Sequence, residues 1–285
     1  MIYVRKVGSV NVVESKELDV KAAWKVVSPG MIRRTDRFIQ LALLGANEAI
    51  SGVDLVKGTA LYMASGQGNL AVFKRLRDQR YIRKQPPKPV DFINSLSNTS
   101  GFYVAQFFGV TGKNLNVSRL GFVAETTLLL AQNDLELGRE KQILVGGVDE
   151  LQEPAAFTRR TLGLCDDRQL GEGSNWMLLS SESDGALAQL EVIKQELDAD
   201  TLKRFVKDVE GDFSIAFGQR ITEKIITDVM ENVSNEVKRF EASTGFYETA
   251  SLYLLNSFIQ VGKGKLLFID TYNDRFRVVK VNVLN

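Results

Sequence analysis

The chain has 285 residues, of which 44% are hydrophobic and 25% charged, and its formal net charge is +1. This is ordinary globular composition, long enough for a large core without disulfide or metal staples, and its near-neutral charge gives no global pull toward nucleic acid or membrane. Histidine is absent and cysteine occurs once, at Cys165, which removes the usual neutral-pH acid–base group and commonest metal ligand, excludes a disulfide framework and leaves the thiol without an imidazole partner.

Residues 1–14 carry early charges and alternate; they read as one or two short strands, since no apolar signal-peptide core follows. Residues 35–51 show helical spacing through Phe38, Leu41, Leu44 and Ala49, with Asp36 in the first turn suiting the helix dipole. A short buried strand at Thr59–Ser65 runs into the turn GQGN, then a helix over Leu70–Arg80. Residues 81–89 hold three of the five prolines and form a loop. Helical stretches follow at 91–97 and 101–109, a strand at Asn114–Ser118 and a helix with an apolar face over Gly121–Leu137. Gln142–Val148 reads as a strand buried on both sides. Residues 155–173 read as irregular loop, followed by strands at Asn175–Ser181 and 187–196. Then come helix 201–208, strand 212–217, helices 220–232 and 246–258, and strands 265–270 and 275–283, the last two joined as a hairpin around Tyr272-Asn273-Asp274. Alternating strands and helices predict an α/β fold with a mostly parallel sheet, and the similar order of the two parts suggests a duplication. No stretch reaches the ~20 apolar residues of a membrane span. The expectation is a cytoplasmic protein with no metal, no cofactor, no nucleic acid and no membrane partner.

Several motifs have bland readings beside functional ones. The strand–turn–helix NLNVSRLGFVAETTLLLAQ can hold a nucleophile at a helix N-terminus, but the turn residue is Gly121, which offers nothing to activate. GQGN at 66–69 lacks the third glycine and acid of a dinucleotide site. Between Lys74 and Lys88 there are seven basic residues and one acid. This is a solvated face, or a dock for an acidic partner through Arg75, Arg77, Arg80, Arg83 and Lys84. The pairs Asp149/Glu150 and Asp166/Asp167 read as caps and turn residues, and Cys165 as a small packed residue.

The ordered segments RRTDRFIQLALLGANEA, GVDLVKGTALYMASGQGN, NTSGFYVAQFFGVTGKNLNVSRLGFVAE, LELGREKQILVGGVDELQEPAAF, CDDRQLGEGSNWMLLSSE, IAFGQR and FEASTGFYETAS resemble the β-ketoacyl synthases of the thiolase superfamily over about residues 31–260. The resemblance implies a shortened, single-domain thiolase-like αβαβα fold over residues 1–285, with one half over about 1–181 and the other over 182–285. It also implies losses. The nucleophilic cysteine position is Gly121, the two histidine positions are Phe217 and Phe246, the lysine position is Glu241, and TYNDRF replaces the glycine-rich loop at the pocket mouth. Condensation needs a thiolate and two polar groups for decarboxylation. Phenylalanine offers neither, and two phenylalanines would fill the vacated pocket with apolar area.

A catalytically dead copy makes sense as the second subunit of a heterodimer, as in the chain length factors of type II polyketide and aryl polyene-type synthases. The resemblance implies pairing with an active ketosynthase through the edge strand Asn114, Leu115, Asn116, Val117 and Ser118. Phe92, Ile93, Leu96 and Phe102 would reach the partner's tunnel, or else pack in this chain's own core. The alternatives are a scaffold that binds acyl carrier protein through the basic run, and a homodimer that binds a small lipid.

Overall fold

The computed structural model describes residues 1–28, 34–233 and 237–284. Among these residues ten strands form one sheet: β1 (Ile2–Val13), β2 (Ala60–Ser65), β3 (Asn114–Ser118), β4 (Gln142–Asp149), β5 (Gly171–Ser180), β6 (Ala188–Val192), β7 (Ser214–Phe217), β8 (Lys238–Arg239), β9 (Lys265–Tyr272) and β10 (Arg275–Val283). Their spatial order is β3-β2-β4-β5-β1-β6-β10-β9-β7-β8. The order 3-2-4-5-1 of the first five strands thus reappears as 8-7-9-10-6 in the last five. The two sets meet where β1 and β6 pair antiparallel, Ile2 opposite Leu190 and Val4 opposite Ala188.

The sheet is mixed rather than mostly parallel. Parallel pairing is confined to β3-β2-β4 and β9-β7-β8, whereas β4-β5-β1-β6-β10-β9 is antiparallel throughout. The alternation of strands and helices concealed this because β5 returns antiparallel to β4, and β9 turns directly into β10 through Asn273 and Asp274, both at positive φ.

The helices are α1 (Val20–Val27), α2 (Arg37–Ile50), α3 (Leu70–Arg77), α4 (Pro89–Asn94), α5 (Thr99–Phe108), α6 (Val123–Glu136), α7 (Ala155–Thr161), α8 (Ala199–Lys207), α9 (Glu223–Glu231) and α10 (Ala250–Val261). Asp36 stands just outside α2 and caps it, its carboxylate accepting from the Ile39 amide at 3.2 Å. Helix α7 replaces part of the expected loop 155–173; a proline before Ala155 and two arginines in its last turn mark it. Helix α3 ends three residues early and continues as one π-turn over Asp78–Ile82. That turn is held by buried Gln79, whose amide donates to Asp91 at 2.6 Å and accepts from the Lys88 amide at 3.0 Å.

Side-chain alternation along the strands builds five layers. Leu61, Met63, Leu144, Trp176 and Leu178 face α1, α2 and α5. Tyr62, Ile143, Val145, Met177 and Leu179 face the other way, onto the central helices α6 and α10, which also bury Leu190, Leu266, Phe268, Val279 and Val281 from the last five strands. The far face, with Ile215, Leu267, Ile269 and Val278, is covered by α8 and α9. Strands β2, β4 and β5 are buried along their whole length, which explains the apolar runs of β2 and β4, whereas β5 also buries Glu172, Ser174 and Asn175. Among the described residues no helix is long and apolar enough to cross a membrane. Of the arginine-rich approach to α2, Arg33 lies outside the described residues.

Candidate functional site

Strand β3 leads through a tight turn into α6, and Gly121 and Phe122 take positive φ values of 65° and 50°. Glycine is required at 121 for a second reason. A Cβ built there would lie 2.1 Å from Cγ of Tyr272, so the tyrosine ring occupies the space a side chain would need. Tyr272 comes from TYNDRF, at the end of β9, and meets Phe122 edge-on with centroids 6.3 Å apart.

Charge closes the rest of the space. The Gly121 amide donates to Oε2 of Glu248 at 3.0 Å, and Arg220 donates to the other Glu248 oxygen. Both partners are largely buried, Glu248 almost completely. The Arg220 guanidinium lies 4.8 Å from the Phe246 ring centroid and 5.6 Å from that of Tyr272. The remaining cavity, lined by Gly121, Arg220, Phe246, Glu248, Ser251 and Asp270 among others, measures about 20 Å³. That is room for about one water, and not for a substrate.

Acids surround this centre. Burial and the neighbouring Glu248 push Asp149 up to about 6; its carboxylate accepts from Ser65 Oγ at 3.0 Å, Gly66 N at 2.8 Å and Thr249 N at 2.9 Å. It therefore ties the ends of β2 and β4 to the start of α10, a larger role than the turn residue expected. Burial raises Asp270 and Glu125 as well, each further disfavoured by another carboxylate nearby. Glu150 is pushed up to about 8 by burial, with Asp36 and Glu172 adding like charge.

The sequence-predicted positions separate. Gly121 and Phe246 line the small cavity. The ring of Phe217 does not: it packs on the outer face with Ile215 and Ile269. Phe217 and exposed Glu241 instead line a cleft of about 560 Å³, where Glu241 pairs with Arg239 at 2.8 Å. The expected plug of two phenylalanines is therefore corrected to one phenylalanine, one tyrosine and a buried ion pair. Arg220 and Glu248 stand inside the quoted segments IAFGQR and FEASTGFYETAS, but only the fold brings together residues 28 positions apart. Cys165 is exposed rather than packed.

Among the described residues strand β3 is the terminal strand of the sheet, so one of its edges carries no partner there. Its burial alternates weakly, Asn114 and Ser118 being exposed and Leu115, Asn116 and Val117 half-buried. Phe92, Ile93, Leu96 and Phe102 are 48–59% exposed, which rules out their packing in this chain's core. In the basic run, Arg75 pairs with Asp91 and Arg77 with Asp78, both at 2.8 Å. Arg80, Arg83 and Lys84 are exposed.

No family model matches the sequence, and a search of curated proteins finds no match. Solved structures do match. The ishigamide ketosynthase/chain length factor aligns with a TM-score of 0.78 at 14% identity, covering 100% of this chain and 99% of that one. A type II polyketide synthase acyl carrier protein in complex with its ketosynthase aligns at 0.73 and 12% identity, covering 99% of each chain. A β-ketoacyl synthase from Burkholderia phymatum aligns at 0.70 and 12% identity, covering 100% of this chain and 99% of that one. With its duplicated strand order and five layers, this chain has the thiolase-like fold of the ketosynthases.

Proposed function

We propose that this chain is a non-catalytic ketosynthase-like subunit that pairs with an active β-ketoacyl–carrier-protein synthase and shapes its acyl tunnel, in the manner of a chain length factor. The observation that carries the reading is the state of the elbow. The residue at the nucleophile position has no side chain, and Tyr272 stands where one would go. The amide that would face a reacting carbonyl is engaged by Glu248. Gly121, Phe217, Phe246 and Glu241 are on this reading vestigial positions. The fold is kept while the chemistry is closed, so the useful surface is the one presented to a partner.

Two features support the pairing. Among the described residues β3 has an open edge able to continue its sheet into a second subunit. Phe92, Ile93, Leu96 and Phe102 form an exposed apolar set on α4, the turn after it and α5, beside that edge. Among the solved structures of this fold, one is described as a ketosynthase in complex with its chain length factor, from Xenorhabdus doucetiae, at a TM-score of 0.53 and 10% identity.

The test is product length. With the partner synthase and carrier protein reconstituted, Phe92→Ala and Leu96→Ala should lengthen the product by one or more extension units. Unchanged length with an intact complex would remove tunnel shaping from the proposal. The competing reading, a scaffold for acyl carrier protein, predicts carrier binding without any length effect.

A further inference from the structure

From Arg80 to Pro89 every residue is exposed. The segment projects between the π-turn and α4 with Arg80, Arg83, Lys84 and Lys88 and no acid between Asp78 and Asp91. None of these four cations has an ion pair among the described residues, whereas Arg75 and Arg77 immediately before them are paired. Tyr81 and Ile82 are each 69% exposed within the cationic run. The arm is anchored at its base: Gln79 accepts from the Lys88 amide at 3.0 Å, its carbonyl accepts from the Gln85 amide at 2.9 Å, and its side chain holds Asp91. Two consecutive prolines stiffen the return. It is thus a fixed projection with a concentrated positive charge in a chain whose net charge is only +1.

The arm leads directly into α4; α4 packs on α5 and α5 on β3. It therefore continues the surface assigned above to the partner subunit, and this inference rests on that assignment. We infer that the 80–89 arm is an electrostatic selector: it fits an acidic surface on the partner ketosynthase and opposes pairing of this chain with itself. A two-fold self-pairing places the same patch of both subunits in one interface, so two arms of charge +4 would enter it together, a like-charge juxtaposition that disfavours the wrong partner. An acidic counter-surface turns the same charges into attraction and speeds encounter.

The test uses the full chain, its synthase partner, and the variant R80E/R83E/K84E, whose changes lie on exposed side chains and should leave the circular dichroism and melting temperature unchanged. Wild type should associate with the synthase at a rate that falls as salt rises. The variant should associate ~10-fold or more slowly at low salt with little change in dissociation rate. As a second readout, wild type and variant, each monomeric alone, should form a mixed dimer when combined. A synthase complex whose association rate is indifferent to the variant and to salt overturns the inference while leaving the proposed pairing intact. Failure of wild type to bind the synthase at all overturns the pairing itself, and the selector with it. Loss of carrier-protein binding in the variant with unchanged synthase association would assign the arm to the carrier instead and overturn the selector.

Discussion

Gly121 sits at φ 65° with the Tyr272 ring in the space a β-carbon would take, so a thiol introduced here by one substitution should not act as a nucleophile. Gly121→Cys should cost about 1–3 kcal/mol from overpacking and backbone strain. By intact mass it should take up no acyl group from an acyl thioester; a stoichiometric acyl adduct would show that the pocket opens. Glu248 is the second anchor. Glu248→Gln keeps an acceptor for the Gly121 amide but leaves Arg220 as an uncompensated buried charge, at a cost of about 3–5 kcal/mol in denaturant unfolding. Arg220→Met combined with Glu248→Leu should recover part of that loss. The buried acids set the pH response. Glu150 ionises near 8 and Asp149 near 6 in the folded chain, both above their ordinary values of 4.5 and 3.8. The folded state therefore holds protons that the unfolded state has released, and the stability this gives is present at the acid end of each window and lost as pH rises, from about 4 to 6 for Asp149 and from about 4.5 to 8 for Glu150. Glu14 and Asp134, lowered by hydrogen bonds from Arg159 and Lys113 respectively, act in the opposite sense below their ordinary values. The melting temperature should fall from pH 5.5 to 8, and Glu150→Gln should flatten that slope; an unchanged slope would mean Glu150 is ionised at little cost.

Among the elements, the strongest sequence signals were those in which one periodicity decides everything. The largely apolar runs of β2 and β4 need burial on both faces, and α2 and α6 carry long helical stripes. Weak signals failed for physical reasons. Helix α1 is only eight residues long, with Val20 and Trp24 as its buried residues, and β8 is two residues long, paired to β7. Strand direction is invisible to periodicity, and so the antiparallel return of β5 went unread. At the site, the strand–turn–helix with glycine at 121 is legible in the sequence, whereas Tyr272, Arg220 and Glu248 are not, because their roles depend on contacts between residues far apart in the chain. The exposed set on α4 and α5 gives a prediction at this scale. Ile93→Asp and Phe102→Arg replace exposed apolar groups with charge, so unfolding free energy should change by no more than about 0.5 kcal/mol. Binding to the synthase should weaken strongly. Loss of folding together with binding would show these side chains to be structural.

For the whole molecule, the described residues form a scaffold with a repeated strand order in which a ring and an ion pair fill the space at one strand-to-helix turn, with an open sheet edge and exposed apolar groups on α4 and α5. The most direct measurement is native mass spectrometry of this chain coexpressed with an active ketosynthase, followed by incubation of the isolated chain with malonyl–carrier protein. The account predicts a 1:1 heterodimer, with malonyl–carrier protein left intact by the isolated chain. A self-sufficient homodimer that consumes malonyl–carrier protein without the partner would contradict it.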